Sequence, residues 1–207
     1  MTKIKICGLT RPCDIDAVNT LHPDYVGFVF ANSRRKVTPQ QAYELRKRLA
    51  SNIIPVGVFV NETIQHIYSL IQNGVIDAVQ LHGNEDEAYI QQLKSLTVKP
   101  VIKAVSVQKA GDVQKYEQTA ADYLLLDTPG GGTGKVFDWG LIGQTEKPYF
   151  LAGGLDASNV SQAIKQTTPF AVDVSSGVET NGLKDPAKIK GFIEASTRQH
   201  RSVEGYL

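Results

Sequence analysis

The 207-residue sequence is poor in the features that mark several classes of protein. Its 2 cysteines, Cys7 and Cys13, are too few and too close in sequence to form a disulfide framework. Its 22 basic and 21 acidic residues leave a net charge of +1, which gives no field for binding nucleic acid or a membrane surface. The N-terminus lacks the apolar stretch of a signal peptide, and the longest apolar segment, 53–60, is too short to span a membrane. We therefore expect a soluble, cytoplasmic protein with free thiols.

The sequence does contain a regular alternation of short apolar runs and helical patterns. Several runs are apolar at nearly every position, as in parallel strands that are buried on both faces. The predicted strands are 3–7, 25–30, 54–60, 77–81, 100–105, 122–127, 148–152 and 170–174. Clear helix patterns follow Thr38, Asp156 and Asp185, and apolar stripes predict further helices at 64–71 and 89–96. Weaker helices are predicted at 14–21, 109–118 and 138–143.

Eight strands, each followed by a helix, predict a (β/α)8 barrel that spans residues 1–207 as one domain, with a frayed tail at 199–207. A doubly wound open sheet would also alternate strands and helices. The count of eight, the short spacing and the lack of a domain break favour the barrel.

In such a barrel the loops that follow the strands gather at one face and carry the active site. The polar and small residues predicted at that face are Cys7, Arg34, Arg35, Asn61, His82, Asp127, Gly153, Gly154, Asp173, Ser175, Ser176 and Gly177. Gly153-Gly154 and Ser175-Ser176-Gly177 follow the last two strands, where barrels of this type bind phosphate through backbone N–H groups. Two tight turns that merely require glycine would leave the same sequence.

The glycine-rich segment 130–134 does not fit a nucleotide-binding motif. Pro129 stands where the first glycine of a P-loop belongs, and Val136 replaces its serine or threonine. We interpret the segment as a loop that closes over a substrate, although a long exposed connection would fit equally well.

Three side-chain types at the predicted face can carry chemistry. Cys7 becomes a usable base if its pKa falls modestly, and Asp127 closes an apolar run that would raise the pKa of its carboxyl and make it a proton donor. Each has a structural alternative, a buried thiol for Cys7 and a loop hydrogen-bonder for Asp127. An arginine of the basic cluster 34–36 could hold a carboxylate in bidentate geometry, or the cluster could simply be solvated. His82 and Cys7 can ligate metals, but no HExxH or CxxC motif accompanies them, so no metal site is predicted.

Nine motifs together resemble the phosphoribosylanthranilate isomerase family of tryptophan biosynthesis. They are KICGLT (5–10), GFVF (27–30), SRRKVTP (33–39), VGVFVN (56–61), VQLHG (79–83), LLLDT (124–128), GTGKVFDW (132–139), LAGGL (151–155) and FAVDVSSGVE (170–179). The resemblance runs in order to about residue 195.

The resemblance implies a (β/α)8 barrel that catalyses an Amadori rearrangement of N-(5'-phosphoribosyl)anthranilate without cofactor or metal. Carried over from the motifs, Cys7 is the general base, Asp127 the general acid and Arg35 the contact to the anthranilate, a role in which Arg34 could share or replace Arg35. Asp173 and His82 then lie near the substrate, whose phosphate is held by Gly153, Gly154, Ser175, Ser176 and Gly177. The only partner expected is this small molecule, with the chain a monomer or a homodimer.

Two other functions stay open at this point. The barrel and phosphate cradle would also suit an epimerase or isomerase of another sugar phosphate. A non-catalytic barrel that binds a phosphorylated ligand is the second alternative, and it predicts that Cys7 and Asp127 are dispensable.

Overall fold

A computed structural model describes residues 1–129 and 136–197, so the segment 130–134 and the predicted tail at 199–207 lie outside the described residues. Eight parallel strands form a closed barrel in chain order, because β1 pairs with both β2 and β8. The strands are β1 (Lys3–Cys7), β2 (Tyr25–Val29), β3 (Ile54–Phe59), β4 (Ala78–Leu81), β5 (Val101–Ser106), β6 (Tyr123–Asp127), β7 (Tyr149–Leu151) and β8 (Ala171–Val174). The predicted barrel is confirmed.

Six α-helices surround the barrel in the described part of the chain. They are α1 (Pro12–Leu21), α2 (Pro39–Arg48), α3 (Ile64–Gln72), α4 (Glu87–Leu96), α5 (Val160–Thr167) and α6 (Pro186–Thr197). The predicted start signal at Thr38 is confirmed, because its Oγ1 accepts from Gln41 N at 3.2 Å. Asp86, which the sequence patterns did not single out, caps α4 through its Oδ1, which accepts from Tyr89 N at 2.9 Å. None of these helices has the length and apolar character needed to cross a membrane.

The prediction of helices at 109–118 and 138–143 is wrong. Each segment holds a single 3₁₀ turn, at Gln114–Tyr116 and Trp139–Ile142. In the first, Gly111 adopts a φ of +89° and the Asp112 carboxylate binds the N–H groups of Gln108 and Lys109 at 3.0 Å, so the backbone follows a turn instead. In the second, Gly143 at a φ of +65° ends the turn after a few residues.

A small antiparallel ribbon that the sequence patterns did not predict lies between β8 and α6. Its strands are β9 (Glu179–Thr180) and β10 (Leu183–Lys184), joined by Asn181 and Gly182, which both have positive φ. An Asn-Gly pair is typical of such tight hairpins. The ribbon places Lys184 opposite Glu179, and their side chains form an ion pair at 2.7 Å.

The barrel interior is closed by apolar side chains near the N-terminal ends of the strands. Phe150 is fully buried there, and its ring lies 5.3 Å from that of Tyr25 and 5.6 Å from those of Tyr123 and Phe170. A second and larger apolar cluster fills the space between the strands and the helices. The interior is therefore a packed core at this end, and any site must lie toward the other end.

Candidate active site

Polar side chains replace apolar ones in the interior toward the C-terminal ends of the strands. Because successive residues of a strand face opposite sides, positions two apart share the interior face. Lys5 and Cys7 occupy such positions on β1, and Gln80 and His82 occupy them at the end of β4. Asp127, the last residue of β6, also faces inward.

Cys7 is buried at the end of β1 in a site shaped by Gly27 of the neighbouring strand. The two residues are register partners, and a Cβ atom on Gly27 would lie 2.5 Å from Cys7 Sγ. Burial raises the pKa of the Cys7 thiol, and Asp173 acts in the same direction, whereas the ammonium groups of Lys5 and Lys184 lower it. The net shift is upward, opposite to the fall that the sequence analysis required of a base, because the two cations close to the sulfur offset only part of the cost of forming a buried thiolate.

Asp127 is held by the residue that follows it and faces His82. Its Oδ1 accepts from the Thr128 N–H at 2.7 Å, and its Oδ2 lies 3.6 Å from His82 Nε2. Burial raises the pKa of the Asp127 carboxyl, and this effect outweighs His82 and the Thr128 N–H, which lower it. A carboxyl group with a raised pKa is suited to donate a proton near neutral pH.

The turn after β4, which carries His82, is fixed by a buried ion pair. Lys103 Nζ lies 2.9 Å from Glu85 Oε2 and also donates to the Gly83 carbonyl at 2.7 Å. The same Glu85 carboxylate accepts from the N–H groups of Gly83 and Asn61. These contacts fix the position of the loop that carries the imidazole of His82.

The loops after β7 and β8 lie against each other and expose backbone N–H groups. Gly153 and Gly154 have φ values of +81° and +64°, which favour glycine. Ser176 and Gly177 lie in the 3₁₀ turn after β8, and a Cβ on Gly177 would lie 2.0 Å from the Leu155 carbonyl oxygen, so the two loops touch. Among the residues that the structure describes, the backbone N–H groups of these two glycines, Ser176 and Gly177 donate to no other group. Ser175 instead braces β1, because its Oγ donates to the Cys7 carbonyl at 3.0 Å.

The basic cluster after β2 converges on one buried carboxylate. Arg35 binds Glu179 in bidentate geometry, with Nε–Oε1 at 2.6 Å and Nη2–Oε2 at 3.0 Å. Arg34 donates to the same carboxylate at 2.6 Å but is mostly exposed, whereas only 13% of the Arg35 side chain is exposed. Although burial opposes ionisation, Arg35 and Lys184 hold the pKa of Glu179 at about 2. Three cations around one anion leave this cluster with a net positive charge.

The carboxylate of Asp173 is engaged in a buried ion pair. Its Oδ1 accepts from the ammonium of Lys5 at 2.9 Å, and both side chains are buried. Lys5 also donates to Gln80 Oε1 at 2.7 Å.

The sequence patterns did not identify four buried polar residues of this region, Lys5, Gln80, Glu179 and Lys184. The first two could have been found from their positions, each two residues before a predicted site residue on the same strand face.

A cavity of about 610 Å³ opens between the loops after β4, β5 and β6. Its lining includes His82, Ser106, Lys109, Asp127 and Thr128. The volume is in the range that small-molecule sites occupy. Within residues 1–129 and 136–197, no group of three or more His, Cys, Asp or Glu side chains is placed to hold a metal ion.

Comparison with known proteins gives one consistent result. A family model described as N-(5'-phosphoribosyl)anthranilate (PRA) isomerase matches residues 4–195. The N-(5'-phosphoribosyl)anthranilate isomerase of Endomicrobium trichonymphae is 50% identical over 193 residues, covering 91% of this chain and 95% of that protein. The Clostridium acetobutylicum protein of the same name is 47% identical over 201 residues, covering 93% and 97%.

Solved structures agree with the sequence relatives. The crystal structure of phosphoribosyl anthranilate isomerase from Thermotoga maritima has a TM-score of 0.86 and 37% identity, covering 96% of this chain and all (100%) of that one. A structure of such an isomerase in complex with reduced 1-(o-carboxyphenylamino)-1-deoxyribulose 5-phosphate has a TM-score of 0.84, also at 37% identity, with the same coverage of 96% and 100%.

Proposed function

The chain belongs to the N-(5'-phosphoribosyl)anthranilate isomerase family of tryptophan biosynthesis, and we propose that it isomerises its substrate with Asp127 as general acid and Cys7 as general base. The product is 1-(2-carboxyphenylamino)-1-deoxyribulose 5-phosphate, the compound whose reduced form is bound in a related structure. The observation that carries the assignment of roles is the pair itself. A buried carboxyl with a raised pKa ends strand β6, and a buried thiol near the ammonium groups of Lys5 and Lys184 ends strand β1 at the same end of the barrel.

The chemistry requires one proton to be given and another to be taken. Asp127 protonates the ring oxygen of the ribose, the bond between that oxygen and C1 breaks, and the anilino nitrogen forms a Schiff base with C1. The Cys7 thiolate then removes the proton from C2, which gives an enolamine. The enolamine becomes the ketone as C1 gains a proton and the C2 hydroxyl loses one. The proton that Cys7 has gained and the one that Asp127 has lost are exchanged with solvent before the next cycle.

The phosphate of the substrate is proposed to bind between the loops after β7 and β8. The N–H groups of Gly153, Gly154, Ser176 and Gly177, which donate to no other group within residues 1–129 and 136–197, supply donors without adding net charge. Gly153 also connects this cradle to the acid, since a Cβ there would lie 3.2 Å from Asp127 Oδ1. Anchoring the phosphate here therefore sets the position of the sugar relative to Asp127.

Arg35 is proposed to hold the anthranilate carboxylate. Glu179 occupies its Nε and one Nη2 position, but Nη1 donates to no group in the described residues. Its aliphatic stem lies against Gly8, where a Cβ would come within 2.4 Å of Arg35 Cδ. Glu179 thus orients the guanidinium and leaves one edge for a ligand. Arg34 can add charge but is more exposed.

The protein is further proposed to act in the cytoplasm on this small molecule, without nucleic-acid or membrane partners, as a monomer or a homodimer. The net charge of +1 supports the lack of nucleic-acid and membrane partners, because it provides no attraction for either surface. A Thermotoga maritima relative is described as dimeric, which supports the homodimer.

The test is fluorescence-monitored turnover of N-(5'-phosphoribosyl)anthranilate by the wild type, Cys7→Ala and Asp127→Asn. We expect each variant to lose roughly 10²- to 10⁴-fold in kcat while its circular dichroism stays unchanged. Cys13→Ser is the matched control, because Cys13 is the exposed cysteine and should tolerate the change. Near-wild-type turnover by Cys7→Ala or Asp127→Asn would remove that residue from the mechanism.

A further inference from the structure

A continuous series of polar contacts crosses the barrel and ends at the proposed acid. It begins at Asp173 on β8, whose Oδ1 lies 2.9 Å from Lys5 Nζ on β1. Lys5 Nζ donates to Gln80 Oε1 on β4 at 2.7 Å, and Gln80 Nε2 lies 2.8 Å from His82 Nδ1. His82 Nε2 then faces Asp127 Oδ2 at 3.6 Å. Lys5 and Gln80 are almost completely buried, so water does not compete for these contacts.

The ammonium group of Lys5 determines which atom of Gln80 faces it, and therefore which ring nitrogen of His82 carries the proton. An ammonium group has donors and no acceptor, so the Gln80 atom that contacts Lys5 must be the carbonyl oxygen. The other end of the Gln80 side chain is then the NH₂ group, which donates to His82 Nδ1. A ring nitrogen that accepts a hydrogen bond carries no proton. The neutral imidazole therefore carries its proton on Nε2, the atom that faces Asp127.

The charges around His82 favour the neutral ring. Burial lowers the pKa of His82, and the ammonium groups of Lys5 on β1 and Lys103 on β5 act in the same direction, whereas the carboxylates of Asp127 and Asp173 oppose it. Protonation at Nδ1 would also set an N–H group against the NH₂ group of Gln80. This steric and electrostatic conflict does not depend on pH, because an amide does not titrate.

We propose that Gln80, oriented by Lys5, is a positioning residue that keeps His82 as the neutral Nε2–H tautomer, so that His82 donates to Asp127 without removing its proton. The inference rests on the proposed function, in which Asp127 must be protonated at the start of the reaction. If His82 became an imidazolium, the proton needed for ring opening would sit on the imidazole and Asp127 would be a carboxylate. After Asp127 has given up its proton, the Nε2–H group stabilises the carboxylate that remains.

The 3.6 Å between His82 Nε2 and Asp127 Oδ2 is longer than a hydrogen bond. Contacts of this kind often tighten only in the complex with substrate. The inference therefore concerns which atom of His82 carries the proton, and that is fixed by the shorter contacts on the Gln80 side.

The first test is ¹⁵N NMR of histidine-labelled protein without substrate, which distinguishes protonated from unprotonated ring nitrogens. His82 is assigned as the signal that is lost in His82→Gln. We expect His82 to show an unprotonated Nδ1 and a protonated Nε2 at neutral pH. A protonated Nδ1, in either the other tautomer or the imidazolium, would overturn the proposal from the spectrum of the wild-type protein.

The second test is Gln80→Glu, which preserves the size of the side chain and replaces the donor by an acceptor. Glutamate would accept from Nδ1–H, so we expect the imidazolium of His82 to persist to higher pH than in the wild type. The kcat should fall roughly 10²-fold with KM little changed, because the substitution misplaces a proton and leaves the groups that bind the substrate in position. His66 on α3, which is partly exposed and lies far from this series of contacts, is the internal control, and its ring signals should be the same in both proteins. Unchanged titration of His82, or unchanged kcat in a variant where the imidazolium does persist, would contradict the proposal.

Lys5→Met tests whether Lys5 orients the Gln80 amide, separately from whether Gln80 fixes the tautomer of His82. Without the ammonium group the amide can turn over, so a population of the Nδ1–H tautomer should appear in the same NMR spectrum. A tautomer that stays unchanged would show that Lys5 does not orient Gln80. These spectra are recorded without turnover, so they remain informative if Asp127→Asn keeps its activity and the proposed acid is withdrawn.

Discussion

The two ends of the barrel interior are lined by inward-facing residues of the same eight strands, yet one end is apolar and the other carries buried charged groups. Near the N-terminal ends, Phe150 and its aromatic neighbours pack without a charged group among them. Near the C-terminal ends, Lys5, Cys7 and Asp127 are buried instead. Apolar packing stabilises the fold, whereas buried ion pairs contribute little because desolvation offsets their attraction. The contrast indicates that one end holds the barrel closed and the other is kept polar for its chemistry.

The largest effect on stability is expected at the apolar end, from Phe150→Ala. Removing a fully buried aromatic ring between three others should lower the free energy of unfolding by about 4 kcal/mol. Urea denaturation measures this loss. The kcat of the molecules that remain folded should stay near that of the wild type, since the ring lies at the end away from Cys7. A small loss of stability with a large loss of kcat would show that the apolar end serves catalysis and is not the main source of stability.

At the polar end, Glu179→Gln should cost about 3 kcal/mol at neutral pH, because it leaves the buried Lys184 and the largely buried Arg35 without their anion. The folded pKa of about 2 lies below the ordinary value near 4.3, so the ionised carboxylate stabilises the fold above about pH 4.3. That contribution is lost as the pH falls toward about 2.

The comparison of wild type and Glu179→Gln by urea denaturation at several pH values checks this sign. Their difference in unfolding free energy should be full near pH 7 and shrink as the pH falls below about 4.3. A difference that grows on acidification would show that Glu179 is not held in its charged form by these cations. Glu44→Gln, which breaks an exposed pair on α2, is the control and should show little dependence of this kind.

Much of the apolar end could be predicted from the sequence, because burial on both faces leaves continuous apolar runs such as YLLL before Asp127. Strand order and barrel closure followed from the repeat. The segment 109–118 was mistaken for a helix because its spacing is compatible with one, while the local turn made by Gly111 and Asp112 is decided by side-chain to backbone hydrogen bonds.

The polar end was predictable only in part. Cys7 and Asp127 stand at strand ends, so position alone identified them as candidates. The partners that set their charge come from strands far apart in sequence: Lys5 and Asp173 are separated by 168 residues, and Lys5 and Gln80 by 75. Such pairings follow from barrel closure and register, which the strand pattern does not specify residue by residue. The motifs could therefore suggest roles for residues without showing which partner holds each of them.

The smallest effect on stability, and the sharpest test of the polar end, is expected from Gly153→Ala. A φ of +81° costs an L-residue roughly 1–2 kcal/mol, and the new Cβ would lie 2.9 Å from Thr128 Cγ2 and 3.2 Å from Asp127 Oδ1. Gly74→Ala is the matched control, since Gly74 has a φ of +66° and a Cβ there would meet nothing within 4 Å. Gly74→Ala should lose only the cost of its positive φ in urea, and Gly153→Ala should lose somewhat more because of these contacts. Only Gly153→Ala should lose kcat, by about tenfold or more, because only there is the acid displaced. Equal kcat values in the two variants would mean that the contact between this loop and Asp127 does not position the acid, and that the cradle and the proton donor act independently.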